Sequence, residues 1–329
     1  MKKILFTILC AGAVISCAKD EVVTAEQEAI TFENAFVDNA TKALDNYTVN
    51  TGNLTAFNVW GTTQMPSSSD IVPIFNEIAV TLDGTAWTYG AAHTQYWIPG
   101  NHYEFVAAKN YKADSEVVVN GLPSTFKYEA ASQADFIYAS ADADGQNAGH
   151  NDEVEFTFDH LLSKAYFTVK NEMSGDNRNY SYRVSNIALN NVVTEGTYTV
   201  DGGTWATDGE YSLSFGNVNG IATATDAAAV KIYSGTTNYT SHYSRLLIPA
   251  TYAALNITCT IETLYGDAVI DVENYSKNIA YTFAKGKAYN FVLTLQNPGD
   301  EIEFTVTKVN DWVPADGSIP TPDNHQANN

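Results

Sequence analysis

The sequence predicts an all-β protein built of two sandwich domains, and three observations carry this prediction. Short runs alternate apolar and polar residues, as strands with one buried face require. No stretch beyond residue 16 shows a sustained helical period, and 20 tyrosines with frequent threonine suit exposed strand faces. More than ten strands over roughly 290 residues exceed what one sandwich holds. The clearest alternating runs are residues 78–82, 154–158, 165–169, 257–261, 289–295 and 302–306.

A polar segment predicts where the two domains divide. Residues 141–152, ADADGQNAGHND, are small and polar and have no apolar period. We therefore expect an N-terminal sandwich over residues 30–148 and a C-terminal sandwich over residues 149–313, followed by a polar tail, 314–329. In the N-terminal sandwich, residues 30–37 are predicted to form the first strand and residues 38–43 an exposed loop.

The first sixteen residues are predicted to be a lipoprotein signal peptide. Lys2 and Lys3 form a basic start, and residues 4–15 are apolar but too short to span a bilayer. The stretch ends in Val-Ile-Ser-Cys17, which resembles the lipobox of bacterial lipoproteins, where the cysteine thiol carries lipid. Cys17 is therefore the predicted lipidation site, and an ordinary secretion signal is the alternative.

Residues 17–29 are polar and acidic, as expected of a tether. They contain Lys19-Asp20-Glu21, which resembles the export signal that carries lipoproteins of Bacteroidetes to the outer face of the outer membrane. We therefore expect a surface-exposed lipoprotein that is anchored in the outer membrane through lipid on Cys17.

Charge and cysteine content limit the partners and the chemistry. The formal net charge is −21, and it becomes −23 when Lys2 and Lys3 leave with the signal peptide. Nucleic acid and anionic headgroups are therefore poor partners. Cys10 also leaves with the signal peptide, so Cys17 and Cys259 remain and no intrachain disulfide is expected. Cys259 is in phase with two isoleucines and is predicted to be a small buried hydrophobe.

No catalytic, cofactor-binding or metal-binding residue is predicted. The six histidines form no HxH or HExxH pair, and no GxSxG is present. His160 is expected to make a structural hydrogen bond. Asp142, Asp144 and Gly145 resemble the start of a calcium loop, but the later ligands are missing and an interdomain turn is expected. Whether an ion binds at Asp142 and Asp144 stays open.

Several motifs occur in order along the chain: the lipobox at Cys17, the strand at 30–36, the step Thr41-Lys42-Ala43, and the segments 54–61, 96–105, 154–167, 246–249, 285–293 and 309–312. In this order they resemble the fimbrillin superfamily, the lipoprotein-derived subunits of type V pili of Bacteroidetes. The resemblance implies two tandem transthyretin-like β-sandwich domains. It also implies a non-enzymatic fimbrial subunit that supports adhesion, with other fimbrial subunits and a host or bacterial surface receptor as partners.

The resemblance further implies assembly by protease-triggered strand exchange. A trypsin-like protease cuts such subunits after a basic residue beyond the first strand, and that position is Lys42 here, before Ala43. Many members carry arginine there, so a protease specific for arginine would leave this chain uncut. The candidate donor strand contains Ile302, Phe304 and Val306, and an ordinary edge strand of the second sandwich is the alternative.

Two other functions share part of this sequence pattern. A surface glycan-binding lipoprotein of the starch-utilisation type would have the same lipobox, tether and sandwiches. It would also need two or three coplanar exposed aromatic rings, whereas Trp60, Trp87 and Tyr96 are expected at core or rim positions. A secreted hydrolase would need convergent acids in a deep cleft.

Overall fold

The computed structural model describes residues 27–37, 49–147, 149–174, 179–216, 229, 231–234, 239–240, 244–298 and 302–309. In these ranges the regular structure is β, apart from two 3-10 turns at Ala91–His93 and Ala130–Ser132. The all-β prediction is therefore confirmed, and the six alternating runs lie in strands, with Ile302 directly before the last one. No helix in the described ranges is long and apolar enough to cross a membrane.

The strands, in chain order, are β1 (Phe32–Val37), β2 (Ala56–Gln64), β3 (Ile71–Asp83), β4 (Ala86–Thr88), β5 (His102–Lys109), β6 (Val117–Val119), β7 (Leu122–Glu129), β8 (Ile137–Asp144), β9 (Val154–His160), β10 (Ser163–Asn171), β11 (Tyr180–Thr199), β12 (Thr204–Gly216), β13 (Ile232–Tyr233), β14 (Tyr239–Thr240), β15 (Arg245–Leu247), β16 (Thr251–Tyr265), β17 (Ala268–Thr282), β18 (Ala288–Leu295) and β19 (Glu303–Val309).

Seven strands close a barrel in the order β1-β4-β3-β2-β5-β8-β9. Alternate side chains point inward, so the barrel has a core of its own that is rich in aromatic rings. The buried rings include Phe32, Phe57, Phe75, Phe105 and Phe156.

The barrel extends past the boundary that the polar segment predicts at residue 149. β9 pairs in parallel with β1, and Phe156 and Phe158 on β9 are fully buried in the barrel core. In the other direction, β7 pairs with β11 of the second unit, and β6 pairs with β7. The polar composition of residues 141–152 identifies the loop before β9. It does not predict that β9 pairs with β1, because a contact between strands about 120 residues apart leaves no pattern in the local sequence.

Two sheets form the second unit. One has the order β14-β10-β18-β19, with β15 also on β10, and the other has the order β17-β16-β11-β7-β6, with β12 and β13 also on β11. Residues of both sheets share one core, which contains Phe167, Leu189, Ile257 and Phe291. Cys259 lies in this core, where burial raises the pKa of its thiol to about 12, as expected of a buried hydrophobe.

A third buried cluster joins the barrel to the second unit. It contains Trp60 and Phe136 from the barrel side and Leu161, Leu246 and Tyr198 from beyond it. The Nε1–H of Trp205 donates a hydrogen bond to the Leu161 carbonyl over 3.1 Å. The junction is therefore packed with apolar side chains rather than linked by a solvated turn.

Candidate strand-exchange site

β1 closes the barrel between β9 and β4. It pairs in parallel with β9 at four positions and meets β4 at Phe32 and Trp87. Just before the strand, the Ile30 N–H donates to the Gln95 carbonyl at 2.9 Å, and the Tyr89 hydroxyl donates to the Ile30 carbonyl at 2.6 Å. β1 is therefore held by backbone hydrogen bonds on two sides.

The side chains of β1 fill the centre of the barrel. The Phe32 ring lies 5.7, 5.6, 6.2 and 5.7 Å from four aromatic rings, those of Phe75, Tyr89, Phe105 and Phe156. Ile30, Ala35 and Val37 are also buried. These four buried positions define what we call the β1 seat.

A bulge sets the spacing of the β1 seat. Asn34 has φ of 44°, in the left-handed region that asparagine tolerates, and the pairing register with β9 shifts between Glu33 and Phe36. The Asn34 amide points outward and donates to a Glu155 carboxylate oxygen at 2.6 Å. Because of the bulge, the buried residues fall at 30, 32, 35 and 37 rather than at strict alternation.

The approach to β1 is fixed by Glu28. Its carboxylate accepts hydrogen bonds from the Gly149 N–H at 2.7 Å and from the Asn151 side-chain amide at 2.8 Å. These two donors hold the pKa of the Glu28 carboxyl below its ordinary value, with Asn151 the larger cause. The Glu28 carbonyl also accepts from the Trp97 N–H at 2.9 Å.

The chain on either side of residues 38–48 is also anchored. The Val37 N–H donates to the Thr51 hydroxyl at 3.1 Å, which places the end of β1 beside the chain that follows the segment. The Val49 N–H donates to Asp135 at 2.8 Å, and Asp135 in turn bonds the Nδ1 of buried His160 at 2.9 Å. His160 thus has the structural hydrogen bond expected of it.

Three of the predicted site residues, Cys17, Lys42 and Ala43, lie outside the described residues, and lipidation and cleavage stay predictions. Sequence reasoning did not single out Tyr89, Thr51 or Asp135, because an isolated polar residue carries no local pattern. These three residues come close to β1 or to the chain that follows residue 48 only through the pairing of the strands.

The candidate donor strand lies at a sheet edge of the second unit. β19 pairs antiparallel with β18 at seven positions, and in the described part of the chain it has no second strand partner. Phe304 is buried, with its ring 6.3 Å from those of Phe167 and Phe291, while Ile302 and Val306 are partly buried. In this conformation the strand is an edge strand of its own sandwich.

The expected turn at Asp142 and Asp144 is instead part of a strand. Both residues lie on β8, because Ala141 and Ala143 alternate with them and pack toward the barrel core. Asp144 pairs with His102 at 2.8 Å. In the described ranges, no three His, Cys, Asp or Glu side chains are grouped so that they could hold a metal ion.

The aromatic residues considered for sugar stacking do not form one face. Trp60 is fully buried and Trp87 is half-buried, and of the three only Tyr96 is exposed. The Trp60 ring packs against Tyr111 and Phe126 in the junction cluster. Trp60 and Trp87 therefore pack in or against a core, as expected from the sequence, whereas Tyr96 is exposed.

The fold defines an all-β protein in which a barrel with a terminal closing strand precedes a two-sheet sandwich. The family model for fimbrillin-like proteins matches residues 41–312, which is most of the chain. The chain therefore belongs to the fimbrillin-like family, and the resemblance stated from its motifs is confirmed.

A solved structure shares this fold. A fimbrial protein of Bacteroides vulgatus is 15% identical and superimposes with a TM-score of 0.59, covering 87% of this chain and 99% of its own. A proposed cell adhesion protein of Bacteroides ovatus is 17% identical, with a TM-score of 0.49 and coverage of 88% and 99%. No curated protein matches the chain.

Proposed function

We propose that the chain is a structural subunit of a surface fimbria, exported as a lipoprotein on Cys17 and assembled by strand exchange after a cut between Lys42 and Ala43. The observation that carries the proposal is the β1 seat. Four buried side chains, three on β1 and Ile30 just before it, fill the middle of a barrel, and the chain joins this segment to the rest only through residues 38–48.

A cut at Lys42 would leave β1 attached by non-covalent contacts alone. Its departure would open a groove between β9 and β4 and empty the pockets of Ile30, Phe32 and Val37. Burying such side chains contributes about 1.5–3 kcal/mol each, so the open barrel gains stability by accepting another strand. The bond from Val49 to Asp135 holds the chain after the cut.

The segment that contains β19 repeats three of the four apolar positions of the β1 seat. Residues 29–38 are AITFENAFVD and residues 301–310 are EIEFTVTKVN. Aligned without a gap, Ile302 matches Ile30, Phe304 matches Phe32 and Val309 matches Val37. Val306 falls opposite the exposed bulge residue Asn34, so this register makes Val309, rather than Val306, the third apolar anchor of the donor strand.

The position of β19 also suits a donor. An edge strand with one partner can leave its sheet without opening a closed structure, and a sheet edge is the usual template for strand addition. Donation by β19 to the open barrel of a neighbouring copy is a heterologous contact, which repeats from subunit to subunit as a fibre requires.

We further propose that the two tandem sandwiches meet near residues 161–162. The barrel core and the core of the second unit are separate clusters, and Leu161 and Leu162 lie in the third cluster between them. The barrel would then be the N-terminal transthyretin-like domain, with the hairpin of β6 and β7 extending the sheet of the C-terminal one.

The test uses a lysine variant and a matched control. Lys42→Gln should abolish SDS-resistant ladders of the surface protein and keep the barrel closed, because β1 stays covalently attached. Lys277→Gln, which removes an exposed lysine from β17, should leave the ladders intact. Normal ladders from Lys42→Gln, with its β1 still present by mass spectrometry, would contradict the proposed assembly.

A further inference from the structure

The seam of the barrel between β8 and β9 is closed over a short length only. The two strands pair antiparallel at two positions, Ile137 with His160 and Tyr138 with Asp159. Beyond these pairs β8 continues to Asp144 while β9 begins at Val154, and a cleft of about 890 Å³ separates them.

Both strands present a backbone edge to this seam cleft. Along residues 139–144, β8 is paired with β5 on its other side at every residue. Residues 154–158 of β9 lie against β1 on their other side. No backbone partner for the two cleft-facing edges occurs in the described ranges of the chain. Unpaired strand edges are templates for a further strand.

The seam cleft is lined by apolar side chains and by acidic side chains. Its apolar lining residues are Trp97, Ala141, Ala143 and Val154. Its acidic lining residues are Glu33, Asp142, Asp144, Asp152, Glu153 and Glu155. The lining contains no lysine or arginine, and His150 is its one histidine. A strand that complements this lining has small apolar side chains on one face and basic side chains on the other.

We propose that the seam cleft binds an extended basic peptide segment of a partner protein, inserted as a strand between β8 and β9. Its backbone pairs with both free edges, its small apolar side chains face Trp97, and its lysine or arginine side chains face Asp142 and Glu155. A second copy of this chain does not fit this chemistry well, because the chain has a formal net charge of −21.

This binding does not require strand exchange. The β1 seat lies on the other side of β9, and β1 contributes one side chain, Glu33, to the lining of the seam cleft, which is open while β1 is in place. The proposal therefore goes beyond the proposed fimbrial function. It can be tested on the uncut chain, so failure of either proposal leaves the other standing.

The test measures binding of a fluorescein-labelled heptapeptide of alternating lysine and valine to the uncut chain by fluorescence anisotropy. We expect saturable binding that weakens as salt is added. The same peptide with N-methyl groups on alternate residues keeps its charge but loses one hydrogen-bonding edge, and it should bind at least about tenfold more weakly. An alternating glutamate-valine peptide should not bind.

Variants locate the site. Asp142→Asn with Glu155→Gln should weaken binding about tenfold, since two charge pairs are lost. The control, Asp208→Asn with Glu210→Gln, neutralises two exposed carboxylates on β12 and should bind as the wild type does. Thermal melting of both variants checks that they fold, and hydrogen exchange of the wild type should slow on binding at amides of residues 139–144 and 154–158.

Three results would overturn the proposal. Equal binding of the N-methylated peptide would mean attraction between charges without strand insertion. An equal loss in the control variant would mean that the overall acidity of the surface binds the probe. No binding of the lysine-valine peptide by a folded wild-type chain would mean that the seam cleft takes no such strand.

Discussion

β1 with the residues just before it and β19 share three apolar positions in different surroundings. β1 is paired on both sides inside a closed barrel, and its Phe32 ring touches four other rings. β19 is paired on one side at the edge of an open sheet, and its Phe304 ring lies near two others. The pairing of β1 with β9 is parallel and interrupted by a bulge, whereas the pairing of β19 with β18 is antiparallel and continuous.

Because β1 is paired on both sides and β19 on one side only, the removal of each strand has a different structural consequence, although the two segments share three apolar positions. Loss of β1 opens a barrel and empties a buried core, while loss of β19 shortens one sheet by a strand. The barrel therefore needs a strand in the β1 seat, and β19 is the strand that can be moved at the lower cost. Under the proposed assembly, both strands would occupy the same seat at different stages.

Truncating the two phenylalanines should give the largest contrast. Phe32→Ala should lower the free energy of unfolding of the barrel by about 3–5 kcal/mol, because the surrounding rings cannot close the cavity. Phe304→Ala should lower the free energy of unfolding of the second unit by less, about 2–3 kcal/mol, because neighbouring side chains at a sheet edge can move to fill the cavity more easily. Urea unfolding of each variant measures both values. If Phe304→Ala lowered the free energy of unfolding as much as Phe32→Ala or more, the expected difference between the two strands would be contradicted.

Removing one hydroxyl should loosen β1 and leave β19 unchanged. Tyr89→Phe deletes the 2.6 Å hydrogen bond to the Ile30 carbonyl. It should lower the free energy of unfolding of the barrel by about 1 kcal/mol. After cleavage at Lys42, β1 should leave this variant faster than the wild type, as followed by size-exclusion chromatography and mass spectrometry. Tyr281→Phe, in the second unit, is the matched control, and equal release rates from both variants would argue against the anchoring role of Tyr89.

Acid should weaken the hydrogen bonds that Glu28 accepts just before β1, and this effect on stability should be smaller than that of the substitutions above. The pKa of Glu28 is lowered in the folded protein, so its contribution to stability is full above the ordinary value of 4.5 and is lost as the pH falls through the folded pKa. Below pH 4.5, the protection factor of the Gly149 amide, which is its intrinsic exchange rate at that pH divided by the observed rate, should fall in the wild type. In Glu28→Gln this protection factor should already be low at pH 7 and should vary less with pH, and identical protection profiles would rule out this anchor.

The strands themselves were largely predictable from the sequence. Runs such as 154–158 and 289–295 alternate with period two, and local alternation is enough to identify a strand with one buried face. The 20-residue β11 was not predicted, because register shifts near Ile187 and between Leu189 and Val192 interrupt its alternation. The family resemblance was predictable because many short motifs keep their order.

The partners of the strands were not predictable in the same way. Nothing near residue 154 indicates that β9 pairs with β1, which lies about 120 residues earlier, since the pairing is a tertiary contact. Residues 141–144 were predicted as a turn because alanine is a weak signal of burial, yet Ala141 and Ala143 pack toward the barrel core. The seam cleft and the anchors Tyr89 and Asp135 follow only from this pairing.

The most direct test of the central claim offers the emptied β1 seat two peptides. The chain is cut at Lys42 and freed from β1, and then mixed with a peptide of residues 29–38, a peptide of residues 301–310, or the latter with Phe304→Asp. Both native peptides should bind and restore the thermal stability of the barrel, because both present apolar side chains at the positions of Ile30, Phe32 and Val37. The aspartate peptide should do neither, since it would bury an unpaired charge. Rescue by residues 29–38 without any binding of residues 301–310 would show a working seat that does not accept β19, and would contradict the account.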